Sequence, residues 1–500
     1  MHEIQHQLDK NQDLVFLSAL LKRYRRSEAY LVGGMVRDII LGRHSKDYDF
    51  VIRGIQPAVL EKFLRQHGRV DLVGKTFGVY KFLPKGASAS DSIDIALPRT
   101  EHSLYFSGGY REFAVKPDYR LPIEHDLKRR DYTINALAWD IRSKKLIDPV
   151  GGSSDIASRT IRAVGQAEQR LSEDYSRILR GLRFAVQLNF RFEYKTWRAI
   201  KKMIGFLNST KLPREAIARE IGKAFTADPL HTIDIFDLAG VFRVLMPEII
   251  HLKGCPQGPN YHAEGDVWTH TRLAVEALFS SQFRRQFPKT RPDLELILTT
   301  LFHDLGKAYT FRRLPGGKLS FYGHELVGSR LAQDICERLR LSSYDGLIDG
   351  ERVAWLIRHH LLVLHTSPSQ FKPATIEKYF LMPDRGTKLL QLIWADRFAS
   401  RTVDNQPSLG NFYDLVEVID EIKKIGYTKK THQPVRLLNG DEVIKALQLT
   451  PGPRVGQILA RLRAAQLKKV IRSKKQALSF LERYYGKKNT HRRTVRRSAS

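Results

Sequence analysis

Asp47 and Asp49 stand two residues apart at the start of an apolar run, DYDFVI. In an extended segment successive side chains alternate between faces, so both carboxylates point one way and Tyr48 the other. Two such groups side by side repel unless a cation sits between them, and hard Mg²⁺ prefers oxygen ligands. Upstream, LVGGMVRDIILGRHSK carries Gly33-Gly34 and then Arg37-Asp38 on a short apolar helix pattern. A glycine pair lets bare backbone N–H groups approach a triphosphate. Alone, D-x-D is usually a solvated strand end and G-G a turn. In this order, with an apolar strand after them, they point to metal-assisted nucleotidyl transfer. Asp94, in SIDIALPRTEHS, reads equally as a third carboxylate on a neighbouring strand or as an ordinary strand-end aspartate.

Two further segments fit phosphate and base chemistry. KRRDYTINALAWD, residues 128–140, offers Arg129 and Arg130 as cations suited to phosphate. Asp131 and Asn135 follow at i,i+4 spacing, one face of a helix turn. SEDYSRILRGLRFAVQLNF, residues 172–190, places Glu173 and Asp174 at a predicted helix start, with Arg177, Arg180 and Arg183 at every third position. An Asp174–Arg177 ion pair would contribute only roughly 0.2–0.5 kcal/mol. A carboxylate beside a guanidinium also matches the exocyclic amino donor and ring-nitrogen acceptor of cytosine and adenine. It opposes the carbonyl and N–H of guanine and uracil. Asp174 with Arg177 thus reads as a selector of CTP and ATP that needs no nucleic-acid template. Arg180 and Arg183 read as phosphate ligands or structural support.

The motifs Gly33-Gly34, Arg37-Asp38, Asp47-x-Asp49, R-R-D-x-T-x-N-A-L and E-D-x-x-R together resemble the class II tRNA nucleotidyltransferase and bacterial poly(A) polymerase family. LIDPVGG, 146–152, matches its D-P-x-G-G turn, which gives Asp148 and Gly151-Gly152 a hinge or turn role. NGDEV…LTPGPRVGQIL, 439–459, matches an element before its final helices. The resemblance runs from about 28 to 484. It implies that Arg130, Asp131 and Asn135 close over the triphosphate and sugar, and that tRNA is the acceptor. Addition of CCA, of CC only, of A only, and poly(A) synthesis all share these head motifs. A non-catalytic RNA-binding protein is disfavoured by the intact acidic residues.

A second cluster lies in YHAEGDVWTHT…TTLFHDLGK, residues 261–307. His270, the pair His303-Asp304 and the distant Asp396 of QLIWADRF make the ligand pattern of an HD-type metal phosphohydrolase. Mixed nitrogen and carboxylate donors suit Ni²⁺, Mn²⁺, Co²⁺ or Mg²⁺. A bound metal would lower the pKa of a water and present hydroxide to a phosphate. His324, His359 and His360 are additional imidazoles for metal or phosphate. Similar HD domains hydrolyse 2′,3′-cyclic phosphates, 2′-nucleotides and phosphomonoesters. They accompany many bacterial tRNA nucleotidyltransferases rather than poly(A) polymerases.

These sites need a scaffold, and the patterning supplies one. The fold class is α+β: short strand-like runs (AYLVGG, YDFVIRG, YKFLP, SIDIAL, FAVKPD, LIDPV) fill residues 28–160, and helical periodicity dominates from about 165. The expected plan is a polar leader with one helix (1–27), a mixed-sheet head (28–160), a helical neck and body (161–260), the HD domain (261–400), a helical tail (401–486) and a disordered basic end (487–500). The loop 99–124, with Gly108-Gly109, reads as mobile. Residues 454–500 hold 15 Lys and Arg against one acid, Glu482. The formal charge of +30 calls for a polyanionic partner. No apolar run is long enough for a bilayer, and the N-terminus lacks a signal pattern. Nucleic acid is therefore the expected partner, without a membrane or an obligate protein partner. Two cysteines, Cys255 and Cys336, fit a reducing cytoplasm.

Overall fold

The computed structural model describes residues 2–43, 47–73, 79–88, 91–103, 113–258, 262–364, 367–424, 436–468 and 470–485. Residues 104–112 of the loop 99–124, and the basic end 487–500, lie outside them. The chain divides into two compact units: Met1–Pro247 with Arg338–Asp345, and Glu248–Glu337 with Gly346–Ser500.

The first unit carries β1 (Glu28–Val32), β2 (Asp49–Arg53), β3 (Gly68–Val73), β4 (Val79–Pro84), β5 (Ile93–Ala96), β6 (Arg99–Ser103), β7 (Phe113–Pro117), β8 (Ala138–Asp140) and β9 (Lys145–Ile147). Seven of them form one sheet in the order β3-β4-β5-β2-β1-β8-β9. Only β2 and β5 run parallel, among antiparallel neighbours. Tyr30, Val32 and Val51 on one face pack against Ile123 and Leu127 of the helix Ile123–Lys128. Phe50 and Ile52, on the other face, are 1% and 0% exposed. Burial on both faces explains why β2 reads as an apolar run rather than an alternating one.

Two sequence expectations change here. The leader holds two helices, His2–Lys10 and Val15–Arg23, and Ile4, Leu17 and Leu20 are buried. Trp139 Nε1 donates to Gln5 Oε1 and Arg142 to the Leu21 carbonyl, so the segment is part of the head. The loop 99–124 is not wholly irregular, because β6 and β7 pair as an antiparallel hairpin and Ile123 opens a helix.

Behind the head, the helices Ala167–Glu173, Ser176–Leu188 and Arg214–Ala227 form a helical layer. The second helix buries Ile178, Leu179, Leu182, Ala185 and Val186. In the second unit, Val267–Ala277, Leu294–Phe302, Gly350–His359 and Gly386–Ala399 pack together. A separate core holds Val443, Ile458, Leu462 and Leu481. Its first helix, Gly440–Leu447, starts on a reciprocal cap between Asn439 and Glu442, the physical content of the NGDEV string.

Candidate active sites

The head site is assembled by strand register. Asp49 and Asp94 are direct partners across the parallel β2–β5 pair. Asp94 therefore faces the same place as Asp49. Asp49 is solvent-accessible yet ringed by protein, and its carboxyl is pushed up to about 6. Burial is the main cause, Arg130 opposes it, and the charges of Asp94 and Asp47 add to it. Asp94 is raised too, by burial and Asp47 against Lys81. Asp49 and Asp94, both with raised carboxyls, and the neighbouring charge of Asp47 make a donor set that fits a hard divalent cation.

Gly33 has φ +74°, and a Cβ there would lie 2.8 Å from Arg130 Nη1. Glycine is thus required both by the backbone and by the guanidinium above it. One expectation is corrected: the Gly33 N–H is not bare, since it donates to the Leu137 carbonyl. Gly34 opens the helix Gly34–Ile40.

The R-R-D-x-T-x-N segment is also not a regular helix turn. It passes from the end of Ile123–Lys128 into a 3-10 turn, Thr133–Asn135, and then β8. Its side chains still converge. Arg129 and Arg130 both reach the fully buried Asp126, at 2.6 and 3.3 Å. Arg37 Nη1 donates to Asn135 Oδ1 at 2.6 Å, and Asn135 Nδ2 to Asp131 Oδ1 at 3.3 Å. Asp131 accepts from Arg180 Nε at 2.9 Å. Burial would raise the Asp131 carboxyl, but Arg180 outweighs it and holds it well below the usual range. Asp131, Asn135 and Arg37 are buried, and link the glycine turn to the helix Ser176–Leu188.

The three arginines of that helix take separate directions. Three residues turn a helix by about 300°, so such positions fan across one side. Arg177 Nη1 lies 2.5 Å from Glu173 Oε2, which ends the preceding helix rather than starting this one. Asp174 stands at the junction and accepts the Ser176 N–H at 2.8 Å. Its carboxyl is raised by burial, against Ser176 and Arg177. Arg183 donates to the buried Glu220 at 2.5 Å and to Gln187 at 2.6 Å. The structure thus gives Arg183 a supporting place. Removing Glu220 would leave a buried charge unpaired, at a cost of about 3–5 kcal/mol. Phe184, which the sequence did not single out, has Arg37, Arg180 and Arg183 over its ring at 5.3, 5.5 and 4.1 Å. Asp148 accepts from the Gly152 and Ser153 N–H groups, so it caps the helix after the D-P-x-G-G turn.

The second unit gathers His270, His303, Asp304 and Asp396 as expected. His270 Nε2 lies 3.0 Å from Asp396 Oδ1 and 3.7 Å from Asp304 Oδ2. His303 Nε2 lies 3.3 Å from Asp304 Oδ2. His324 and His360 join on the other side, at 3.4 and 3.9 Å from Asp304 Oδ1. Asp304 therefore belongs to two candidate ligand groups, one with His270 and His303 and one with His324 and His360. His359 does not join. Its Nδ1 meets the Trp355 carbonyl, and its ring packs on Trp355 and Tyr379.

Each inward imidazole has its other nitrogen fixed. His303, His324 and His360 use Nδ1 on the carbonyls of Thr300, Phe321 and Ile357. His270 uses Nδ1 on Glu264, which also takes His262. This orientation is the usual outer support of metal ligands. Glu264 was missed in the sequence, although it lies in the same YHAEGD string as His262. The buried Nε2 atoms of His303 and His324 and both Asp304 oxygens have no hydrogen-bond partner among the described residues. Lys307 Nζ is 2.7 Å from Asp304 Oδ2. Burial would raise Asp304, but His303 and Lys307 hold it well below the usual carboxylate range. Burial, with His303, keeps His360 neutral by lowering it to about 3. Buried donors and acceptors without hydrogen bonds cost about 1–3 kcal/mol each. The imidazole nitrogens and carboxylate oxygens of this set fit a divalent cation.

Comparison with known proteins identifies both domains. The Poly A polymerase head domain model matches residues 29–162 and the HD domain model residues 267–399. An A-adding tRNA nucleotidyltransferase of Deinococcus radiodurans is 33% identical over 466 residues, 91% of this chain and 95% of that protein. A multifunctional CCA protein of Nitrosococcus oceani is 34% identical over 76% of this chain and 87% of its own length. The fold matches the Bacillus stearothermophilus CCA-adding enzyme in complex with CTP, with a TM-score of 0.60 at 20% identity, covering 95% of this chain and 98% of that one. It also matches the Thermotoga maritima CCA-adding enzyme complexed with tRNA, with a TM-score of 0.59 at 20% identity, covering 96% and 98%. The chain belongs to the tRNA nucleotidyltransferase family, with a Poly A polymerase head and an HD domain, and is a nucleotidyltransferase.

Proposed function

We propose that the protein adds cytidine and adenosine to tRNA 3′ ends from CTP and ATP. The observation that carries this reading is the side-by-side register of Asp49 and Asp94, with Asp47 alongside and Arg130 over Gly33. The tRNA 3′-hydroxyl attacks the α-phosphate, and pyrophosphate leaves. Mg²⁺ held by Asp47 and Asp49 would supply Lewis acidity, lowering the hydroxyl's pKa and neutralising the leaving charge. Asp94 completes the acidic set. Arg130 faces the triphosphate, while Arg37, Asn135, Asp131 and Arg180 fix it relative to the helix that reads the base. The excess of basic residues grips the tRNA by phosphate contacts and duplex shape. Relatives of both the A-adding and the CCA-adding kind share this head, and addition of A alone is the second reading.

Asp174 and Arg177 are the base selectors in this account. Arg177 is steadied by Glu173, which leaves the Asp174 carboxylate oriented by Ser176 rather than consumed by a tight surface pair. Asp174→Ala or Arg177→Ala should weaken discrimination against UTP and GTP by about 10–100-fold, the size expected for losing one bidentate base contact. Competition assays with all four nucleotides measure it. Wild-type discrimination in either variant would return Asp174 and Arg177 to a purely structural role.

The second unit, in the same proposal, is a metal-dependent phosphohydrolase. His270, His303, Asp304 and Asp396 would hold its divalent cation, with His324 and His360 available for a second. The buried imidazole nitrogens and Asp304 oxygens without hydrogen-bond partners support it. The cation would supply a water acidic enough to attack phosphorus. Lys307, held between Asp304 and Gln257, provides the one ammonium in contact with Asp304 among the described residues.

A further inference from the structure

The second unit's site holds one buried donor that neither the proposed ligands nor their outer hydrogen bonds account for. Gln257 is 7% exposed, and its Oε1 accepts from Lys307 Nζ at 2.8 Å. An ammonium can only donate, so this contact fixes which end of the carboxamide is the oxygen. The Nε2 end is turned the other way. It is buried and has no hydrogen-bond partner among the described residues. A buried donor left unmet is costly, so an orphan of this kind calls for an occupant.

The segment that carries Gln257 is tied to the metal-ligand cluster twice. Gly254 N–H donates to Asp266 Oδ2 at 2.7 Å, and Val267 N–H to the Cys255 carbonyl at 3.0 Å. Asp266 also caps the helix Val267–Ala277, which carries His270. Lys307 makes the second tie, because its Nζ lies 2.7 Å from Asp304 Oδ2 as well, with the Phe321 ring centre 5.7 Å away. Burial shows where the cluster meets solvent. His270, His303 and Asp304 are at most 1% exposed, whereas Lys307, His324, Gln257 and Asp396 are 6–8% exposed. Gln257 and Lys307 thus stand on the side from which a ligand arrives.

An amide N–H beside an ammonium asks for an acceptor that carries negative charge. The carboxylates at hand are already engaged. Asp304 meets Lys307 and the imidazoles, Asp396 meets His270, and Glu264 meets His262 and His270. The acceptor must therefore come with the substrate. A phosphoryl group brings non-bridging oxygens that accept from several donors at once.

We infer that Gln257 is a phosphate ligand of the second unit's site: its Nε2–H donates to a non-bridging oxygen of the substrate's phosphoryl group, while its Oε1 keeps Lys307 alongside. The inference rests on the phosphohydrolase reading, and it names the part of the substrate that this side chain binds. The substrate class is a phosphate ester, monoester or cyclic diester, gripped at phosphorus rather than at its nucleoside.

The test uses the full chain, loaded with Ni²⁺, Mn²⁺, Co²⁺ and Mg²⁺ in turn, with 2′,3′-cyclic AMP as substrate and inorganic phosphate as competitor. Gln257→Met removes both arms of the carboxamide. Gln257→Glu keeps an oxygen for Lys307 but puts an acceptor where the donor was. Both should raise the KM and the inhibition constant of phosphate about tenfold or more, the scale of one hydrogen bond to a charged group, with Gln257→Glu the worse. Phosphate should raise the Tm of the wild type and not of the variants, while metal content and the Tm without phosphate stay unchanged. A Gln257 that only positions Lys307, or only holds a water, would leave Gln257→Glu with wild-type KM and phosphate inhibition, and that result overturns the inference. Loss of metal from either variant would overturn it too, by placing Gln257 in the support of the metal. So would a fall in kcat with KM and phosphate inhibition unchanged. If the wild type hydrolyses no cyclic AMP with any of the four metals, the phosphohydrolase reading fails for that substrate, and phosphate binding decides Gln257 alone. A phosphate-induced rise in Tm that both variants lose would uphold the phosphate ligand, and no rise in the wild type would overturn it.

Discussion

Asp47→Ala and Asp49→Ala each abolish nucleotide addition, a fall of at least about a thousandfold, while tRNA binding stays close to wild type. The expectation follows from the crowded acids of β2 and β5. Asp49 binds its proton more tightly in the folded chain, with a pKa near 6 against a usual value of 3.8. A carboxyl raised in this way favours folding below its unfolded pKa, and that contribution is lost as pH rises through about 6. At neutral pH the ionised group is a burden that a cation relieves. Removing it therefore strips the cation's ligand without removing a support of the fold. Labelled-nucleotide incorporation at saturating Mg²⁺ measures the effect. Substantial incorporation by either variant would refute the assignment of these acids.

His303→Ala or Asp304→Ala should remove metal-dependent hydrolysis of 2′,3′-cyclic AMP to background and spare nucleotide addition. The proposed ligands His270, His303, Asp304, His324, His360 and Asp396 all lie in the second unit. Asp304 takes part in two of the three candidate ligand groups among the described residues, so its loss should be the more damaging for metal content. His359→Ala, one residue from His360 but turned towards Trp355, should keep metal binding. Hydrolysis and metal content are measured with Ni²⁺, Mn²⁺, Co²⁺ and Mg²⁺ in turn. A wild-type protein inactive with all four would contradict the phosphohydrolase reading for this substrate.

The sequence carried the local parts of this picture well. The β-branched and aromatic runs marked β1, β2, β4, β5, β7 and β9, and the apolar run before His303 marked its helix. Alternation along Asp47-Tyr48-Asp49 gave the expectation of a shared face of two acids, of which Asp49 opens β2 and Asp47 precedes it. What local pattern could not supply was pairing between distant segments. The parallel β2–β5 register that brings Asp94 beside Asp49 depends on the chain crossing over between them. Nor does an arginine at every third position name its partner. Asp131 for Arg180 and Glu220 for Arg183 come from other elements. The R-R-D-x-T-x-N string looked helical by spacing, but Tyr132 bridges to Ala163 and only a 3-10 turn follows. His359 and His360 are indistinguishable by type. Their roles separate because adjacent helical positions point about 100° apart.

The measurement that bears most directly on the central claim uses three tRNA transcripts, ending at the discriminator base, in C and in CC. Each is incubated with the purified protein, Mg²⁺ and labelled CTP or ATP, and the products are sized. The account predicts two cytidines on the first transcript, one on the second, and a single adenosine on the CC-ended third, with pyrophosphate released at each step. Adenosine on the CC end without any cytidine addition would contradict CCA synthesis and make the protein an A-adding enzyme. Long adenosine tracts, or no incorporation on any transcript, would contradict the account as a whole.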